Sequence, residues 1–162
     1  MAASSIAAPA SAMVPHAIHR SENELPFVEF YDGMKLQLLH ADVEGGLWVV
    51  RTRFKPGTTI QTHKHTGSVY AFTLAGRWKY LEYPEVNSAG SYLFEPAGSI
   101  HTLTVPKDVQ GVTDVWFAIS GANLNLDGDG RVVEVVDAGT VRDGYFQLCE
   151  AQGLPRPNIV GR

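Results

Sequence analysis

Three of the six histidines in this 162-residue chain stand at spacings that permit metal chemistry. His63 and His65 flank Lys64. On a strand, residues two apart point to the same face, so two imidazoles placed this way can share one ion. An H-x-H also arises as two exposed histidines, so the pair alone does not decide the matter. His101 opens a later β-like run, just after the tight turn Pro96-Ala97-Gly98. A barrel would bring it opposite the first pair. His16 and His19 sit near the N-terminus and read as solvated, and His40 reads as a rim residue at a strand end. Cys149 is the sole cysteine. Alone it forms neither an intrachain disulfide nor a thiolate metal site, and it reads as a packed helix residue.

The elements that must position these histidines are short β-like runs broken by turn residues. They are Phe27 to Tyr31, Met34 to Leu39, Leu47 to Phe54, Val69 to Leu74, Trp78 to Tyr83, Ser91 to Glu95, His101 to Val105, Val112 to Ile119 and Arg131 to Val136. Asp32-Gly33 after the first run is a hairpin signal. Gly45-Gly46, Pro56-Gly57 and Gly76 punctuate the next ones. Many short strands with regular turns predict an all-β sandwich or barrel. The end differs: Val141, Tyr145, Phe146, Leu148 and Cys149 are spaced for one helix over Asp137 to Gln152. Thr140 with Asp143 is its expected cap, and Gly153 and Pro155 stop it. Trp48, Ile60, Phe72 and Phe117 are expected in the core.

Bulk composition narrows the classes. Hydrophobic residues make up 44% and charged residues 19% of the chain, which describes a globular domain. The net charge of -4, with Lys and Arg scattered, disfavours nucleic acid as a partner. No apolar run reaches the length of a membrane span. The Ala- and Ser-rich start lacks the positive n-region of a signal peptide. Residues 1–22 read as a flexible tail and residues 23–162 as one domain, in a cytoplasmic protein.

Two motifs in order carry a resemblance. Gly57, five residues, His63-Lys64-His65, then Gly76 resembles the first motif of the cupin superfamily. Gly90, five residues, Pro96-Ala97-Gly98, two residues and His101 resembles the second. The resemblance implies a cupin-type jelly-roll β-barrel with the C-terminal helix beside it. It also implies one divalent metal on His63, His65 and His101. The chain departs from the pattern at Val69, where the usual carboxylate ligand stands, and at Val105, where the usual Asn stands. The implied set is therefore three neutral histidines. An ion held so keeps its full charge and favours an anionic chelate such as an enolate or hydroxyketone. Up to three positions stay open, two for the chelate and one for dioxygen.

The blocks Leu36-Gln37-Leu38-Leu39-His40, Arg77-Trp78-Lys79-Tyr80-Leu81-Glu82 and Phe94 to Thr102 resemble the 2,4'-dihydroxyacetophenone dioxygenase family. The His-only site and the segment Asn123 to Gly130 are also similar to acetylacetone-cleaving dioxygenase. Both imply a mononuclear non-haem Fe(II) and oxidative carbon–carbon cleavage of a hydroxyketone or β-diketone, with the ketone and dioxygen as partners. Three histidines also suit Zn(II), so a metal-dependent hydrolase or isomerase is the alternative. A non-enzymatic metal-binding cupin module is a third. Glu95 matches an acidic position that orients ligand or substrate from outside the ligand set in both dioxygenase families, although a strand-end Glu is also commonly solvated. Trp78, Tyr80 and Glu82 share one strand face. An inward face makes Tyr80 and Glu82 cavity residues with a catalytic role beside Glu95; an outward face puts them beneath the helix. Assembly as a homodimer or homotetramer is expected.

Overall fold

The computed structural model describes residues 16–161. The expected tail residues 1–15 lie outside them. Arg20 already bonds the domain, donating from Nε to the Asn158 carbonyl at 2.9 Å. After a 3-10 turn at Glu22–Glu24, strands follow as β1 (Val28–Tyr31), β2 (Met34–Asp42), β3 (Leu47–Phe54), β4 (His63–His65), β5 (Val69–Ala75), β6 (Arg77–Tyr80) and β7 (Val86–Ser88). Then come β8 (Tyr92–Glu95), β9 (Ile100–His101), β10 (Leu103–Thr104), β11 (Thr113–Ser120), β12 (Asn123–Leu126) and β13 (Val132–Val136), and finally helix α1 (Ala138–Ala151). One sheet runs β1-β2-β3-β11-β5-β8; the others run β13-β12-β4-β9 and β10-β6-β7. The pairing within each sheet is antiparallel. The fold is the expected all-β barrel with one C-terminal helix.

Strand parity places the core. β3 turns Trp48, Val50, Thr52 and Phe54 inward, and β5 turns Val69, Ala71 and Thr73 inward. Phe72 is therefore an outward residue, 42% exposed, and not the core residue its size suggested. Trp78 is fully buried and donates its indole N–H to Thr73 Oγ1 at 2.9 Å, so its one polar atom is satisfied. Gly76 links β5 to β6 at φ +71°, where a Cβ would stand 2.7 Å from Thr113 Cα. Only glycine allows that turn to press against β11.

Helix α1 is capped by Asp137, whose side chain accepts the Thr140 N–H at 2.8 Å. The expected Thr140–Asp143 cap falls three residues too late: the Thr140 hydroxyl oxygen instead accepts the Asp137 N–H and completes the reciprocal pair. Val141, Tyr145 and Cys149 form the buried stripe. The Tyr145 hydroxyl donates to the Pro26 carbonyl at 2.5 Å and ties the helix to the segment before β1.

On the outer face, Asp114 is 4% exposed and accepts both Arg51 Nε and Nη2 at 2.8 Å and Arg53 Nε at 2.9 Å. Burial opposes its charge, but the two guanidiniums outweigh that and hold its carboxyl below the usual range. Removing it in Asp114→Ala leaves two half-buried like charges with only the exposed Glu22 between them and is expected to cost about 2 kcal/mol, read from urea midpoints. A carboxyl whose folded pKa is lowered stabilises above its unfolded value of about 3.9 and loses that effect as pH falls through the folded value. The gap between wild type and variant should thus be full at pH 7 and shrink below about pH 4. A gap constant from pH 7 to pH 2.5 contradicts this account.

Candidate metal centre

β4 alternates buried, exposed, buried, so His63 and His65 turn inward while Lys64 faces out. β9 lies antiparallel to β4 with His63 directly opposite His101. The turn between β8 and β9 fixes this register. Gly98, at φ +88°, donates its N–H to the His65 carbonyl at 2.7 Å, and the His65 N–H goes to the Ser99 carbonyl at 3.0 Å. β12 closes the other side of β4, pairing Asn123 with His65 and Asn125 with His63.

His63, His65 and His101 are 5%, 3% and 1% exposed. Their ligand nitrogens all lie within 4.8 Å of one another. The His63 ring is close to perpendicular to the other two, at 89° and 83°. Burial pushes the His63 pKa down to about 4, so that ring is neutral near pH 7. Its Nδ1 stands 3.0 Å from the Gln61 carbonyl. A carbonyl only accepts, so Nδ1 carries the proton and Nε2 keeps a free lone pair. The Tyr80 ring stacks on His101 at 3.8 Å and 17°, fixing its plane.

Glu95 ends β8 inside the barrel at 3% exposure. Its Oε1 accepts the Tyr80 hydroxyl at 2.5 Å. Its Oε2 stands 2.8 Å from His65 Nε2 and 3.0 Å from His101 Nε2, yet it makes no well-directed hydrogen bond. Burial would raise this carboxyl, but the His101 and His65 nitrogens and the Tyr80 hydroxyl outweigh it and hold it at about 2. Burial and the adjacent Glu95 charge push Tyr80 well above its ordinary value, so Tyr80 stays protonated.

Glu82 is placed differently from the inward alternative. β6 ends at Tyr80, where Leu81 donates to the Thr102 carbonyl and the chain turns. The alternation that buries Trp78 and Tyr80 therefore stops, and Glu82 is exposed, outside the cavity wall. Its Oε2 accepts the Thr102 N–H at 2.8 Å, which braces the residue after His101.

The centre opens into a cavity of about 350 Å³. His63, His65, Tyr80 and Glu95 line it together with the apolar Leu36, Val50, Phe54, Ile60, Phe117 and Ile119. Trp48, Ile60 and Phe117, expected as core, line this cavity as well as packing the barrel. Asn123, which sequence reasoning passed over as a site residue, also lines it, with a buried amide oxygen that has no partner. Its signal was the Asn-Leu-Asn-Leu alternation before an Asp-Gly turn.

The donor set suits a divalent metal. Buried imidazoles converge, and buried His65 Nδ1 and Glu95 Oε2 lack hydrogen bonds. Among the described residues, no helix is long and apolar enough to cross a membrane.

Comparison with known proteins agrees with this geometry. A cupin-like protein of unknown function from Ralstonia eutropha JMP134 is 34% identical, with a TM-score of 0.83 over 92% of this chain and 96% of that one. Acetylacetone dioxygenase from Acinetobacter johnsonii is 19% identical, with a TM-score of 0.72 over 87% of this chain and 97% of that one. The anti-sigma ChrR of Rhodobacter sphaeroides, solved with SigE, is 15% identical, with a TM-score of 0.52 over 62% of this chain and 52% of that one. The last two are likenesses of fold. No curated protein matched in sequence. The profile of the ChrR Cupin-like domain matches residues 15–116, so both histidine motifs lie within the match and the chain belongs to the cupin-like family that this profile describes.

Proposed function

We propose that this protein is a mononuclear non-haem Fe(II) dioxygenase that cleaves a carbon–carbon bond of a hydroxyketone or β-diketone. The observation that carries the reading is the convergence of three buried histidines, two of which line a mainly apolar cavity. Iron(II), held by His63, His65 and His101, would relay electrons from the bound ketone to dioxygen. The chain supplies the rest. Apolar walls keep water from the reacting ketone and fit an alkyl or aryl flank. Asn123 offers an unpaired amide oxygen that accepts from a substrate hydroxyl. Tyr80 stays protonated and holds Glu95 by its Oε1.

The test is oxygen uptake by protein loaded anaerobically with Fe(II) or with Zn(II), on one panel of β-diketones and aryl hydroxyketones. The expected result is uptake by the iron form alone, with both atoms of dioxygen recovered in the two cleavage products. Equal product formation by both forms under nitrogen points to a hydrolase instead. Metal binding with no turnover of any compound points to a binding module.

A further inference from the structure

We propose that Glu95 is a fourth protein ligand of the ion, delivered from β8 in place of the carboxylate that Val69 lacks on β5. The inference rests on the metal site proposed above. In the β5–β8 ladder Val69 lies directly opposite Glu95, and both point into the barrel at 1% and 3% exposure. A carboxylate lost from one strand is thus replaced from its neighbour, on the same face.

The spacing of the donors argues for direct ligation. His65 Nε2, His101 Nε2 and Glu95 Oε2 are separated by 3.0, 2.8 and 3.0 Å. Ligands about 2.1 Å from one ion lie about 3.0 Å apart at right angles, and about 3.4 Å apart at the tetrahedral angle. The three atoms therefore have the spacing of neighbouring corners of an octahedron. Hydrogen bonding explains one edge of the trio, the bond between His65 Nε2 and His101 Nε2, but not the carboxylate. Glu95 Oε2 has no well-directed donor although two ring nitrogens stand beside it, and its partner oxygen is already committed to Tyr80.

The consequence is a change of substrate binding from the chelate expected of a three-histidine site. Four protein ligands leave two of six positions, so the ketone binds through one oxygen. The ion and Glu95 together carry a single positive charge, which a singly charged enolate neutralises inside an apolar cavity.

The experiment is a crystal structure of the Zn(II)-loaded protein, with Zn(II) affinities of wild type and Glu95→Gln by chelator competition. A carboxylate oxygen at about 2.0–2.2 Å from the ion, with affinity lowered by more than about 100-fold in the variant, is expected. Zn(II) on three histidines with Glu95 beyond 3 Å overturns this inference alone. Failure of wild type to bind Zn(II) overturns the metal site with it.

A separate observation concerns the outer face of the six-stranded sheet. Its β2–β3 half is covered by the chain before β1: Glu22 pairs with Arg51 and Arg53, and Phe27 lies 3.9 Å from the Arg53 guanidinium. Its β5–β8 half is bare among the described residues. There Tyr70, Phe72, Leu74, Tyr92 and Phe94 are 43%, 42%, 44%, 64% and 49% exposed, and Tyr70 pairs with Phe94 and Phe72 with Tyr92 across the strands. We infer that a second copy of this chain packs on this face through a twofold axis. The five side chains present on the order of 500 Å² of apolar surface. At the roughly 65% apolar share of homodimer interfaces, that corresponds to about 800 Å² per partner, the size of a stable dimer interface. The patch carries no charge, so it suits its own copy better than a charged partner.

Sedimentation of the full chain is expected to give a dimer, and Phe72→Glu a folded monomer with unchanged far-UV dichroism. A wild-type monomer across 1 to about 500 μM overturns the inference, and so does a Phe72→Glu dimer of undiminished affinity. Should Phe72→Glu fail to fold, Tyr92→Lys at the exposed edge strand is read the same way.

Discussion

Replacing His101 with alanine should strip the metal from this protein. His101 is the most deeply buried of the three histidines, and its Nε2 sits within 3.0 Å of both His65 Nε2 and Glu95 Oε2. Truncation removes one direct donor and also the ring on which Tyr80 stacks. Changes to residues that merely support a ligand cost about 10–100-fold in affinity. Loss of the ligand itself should exceed that, so at least a 100-fold weaker affinity is expected, with metal content falling to the background of the preparation. The same substitution opens a gap under Tyr80, so thermal unfolding of the metal-free proteins is the control. Cavity formation lowers the stability of the metal-free form, whereas ligand loss abolishes the extra stability that metal confers on wild type. Stoichiometric metal in His101→Ala, with a metal-dependent rise in Tm equal to that of wild type, contradicts the assignment.

How far the sequence disclosed this site depends on which signals were local. His63 and His65 lie on one face because strand parity is a local rule, and spacing suffices to read it. The pairing of His101 with His63 is a long-range fact, but the glycine and proline punctuation before His101 records the turn that creates it. The same reasoning failed at Glu82, because parity holds only while the strand lasts and β6 ends two residues earlier. It failed at Phe72 because size argues for burial while parity decides the face, and the outer face here is unusually aromatic. β12 escaped notice because asparagine is a poor strand former, yet pairing on both sides, with β4 and β13, holds it in the sheet. The short distances around Glu95 depend on the registers of two ladders together, and no sequence spacing encodes those.

That same register makes a carboxylate exchange the sharpest test of how the site is built. Val69→Glu alone places a second carboxylate opposite Glu95 in a closed space. Facing side chains in such a pair start about 5 Å apart at Cβ, and two buried carboxylates so close do not both ionise readily. The metal-free variant also loses a buried apolar side chain, and together these are expected to cost about 3–5 kcal/mol. A divalent ion offsets the repulsion, so metal should raise the Tm of Val69→Glu more than that of wild type. Adding Glu95→Val then moves the single carboxylate from β8 to β5, the position usual in the cupin pattern. The double variant should bind Zn(II) within about tenfold of wild type, while Glu95→Val alone falls by more than about 100-fold. Tyr80 has no carboxylate partner on Glu95 in either of these two variants, so the comparison between them separates ion binding from Tyr80 anchoring. If the double variant binds no better than Glu95→Val, the carboxylate serves Tyr80 and not the ion.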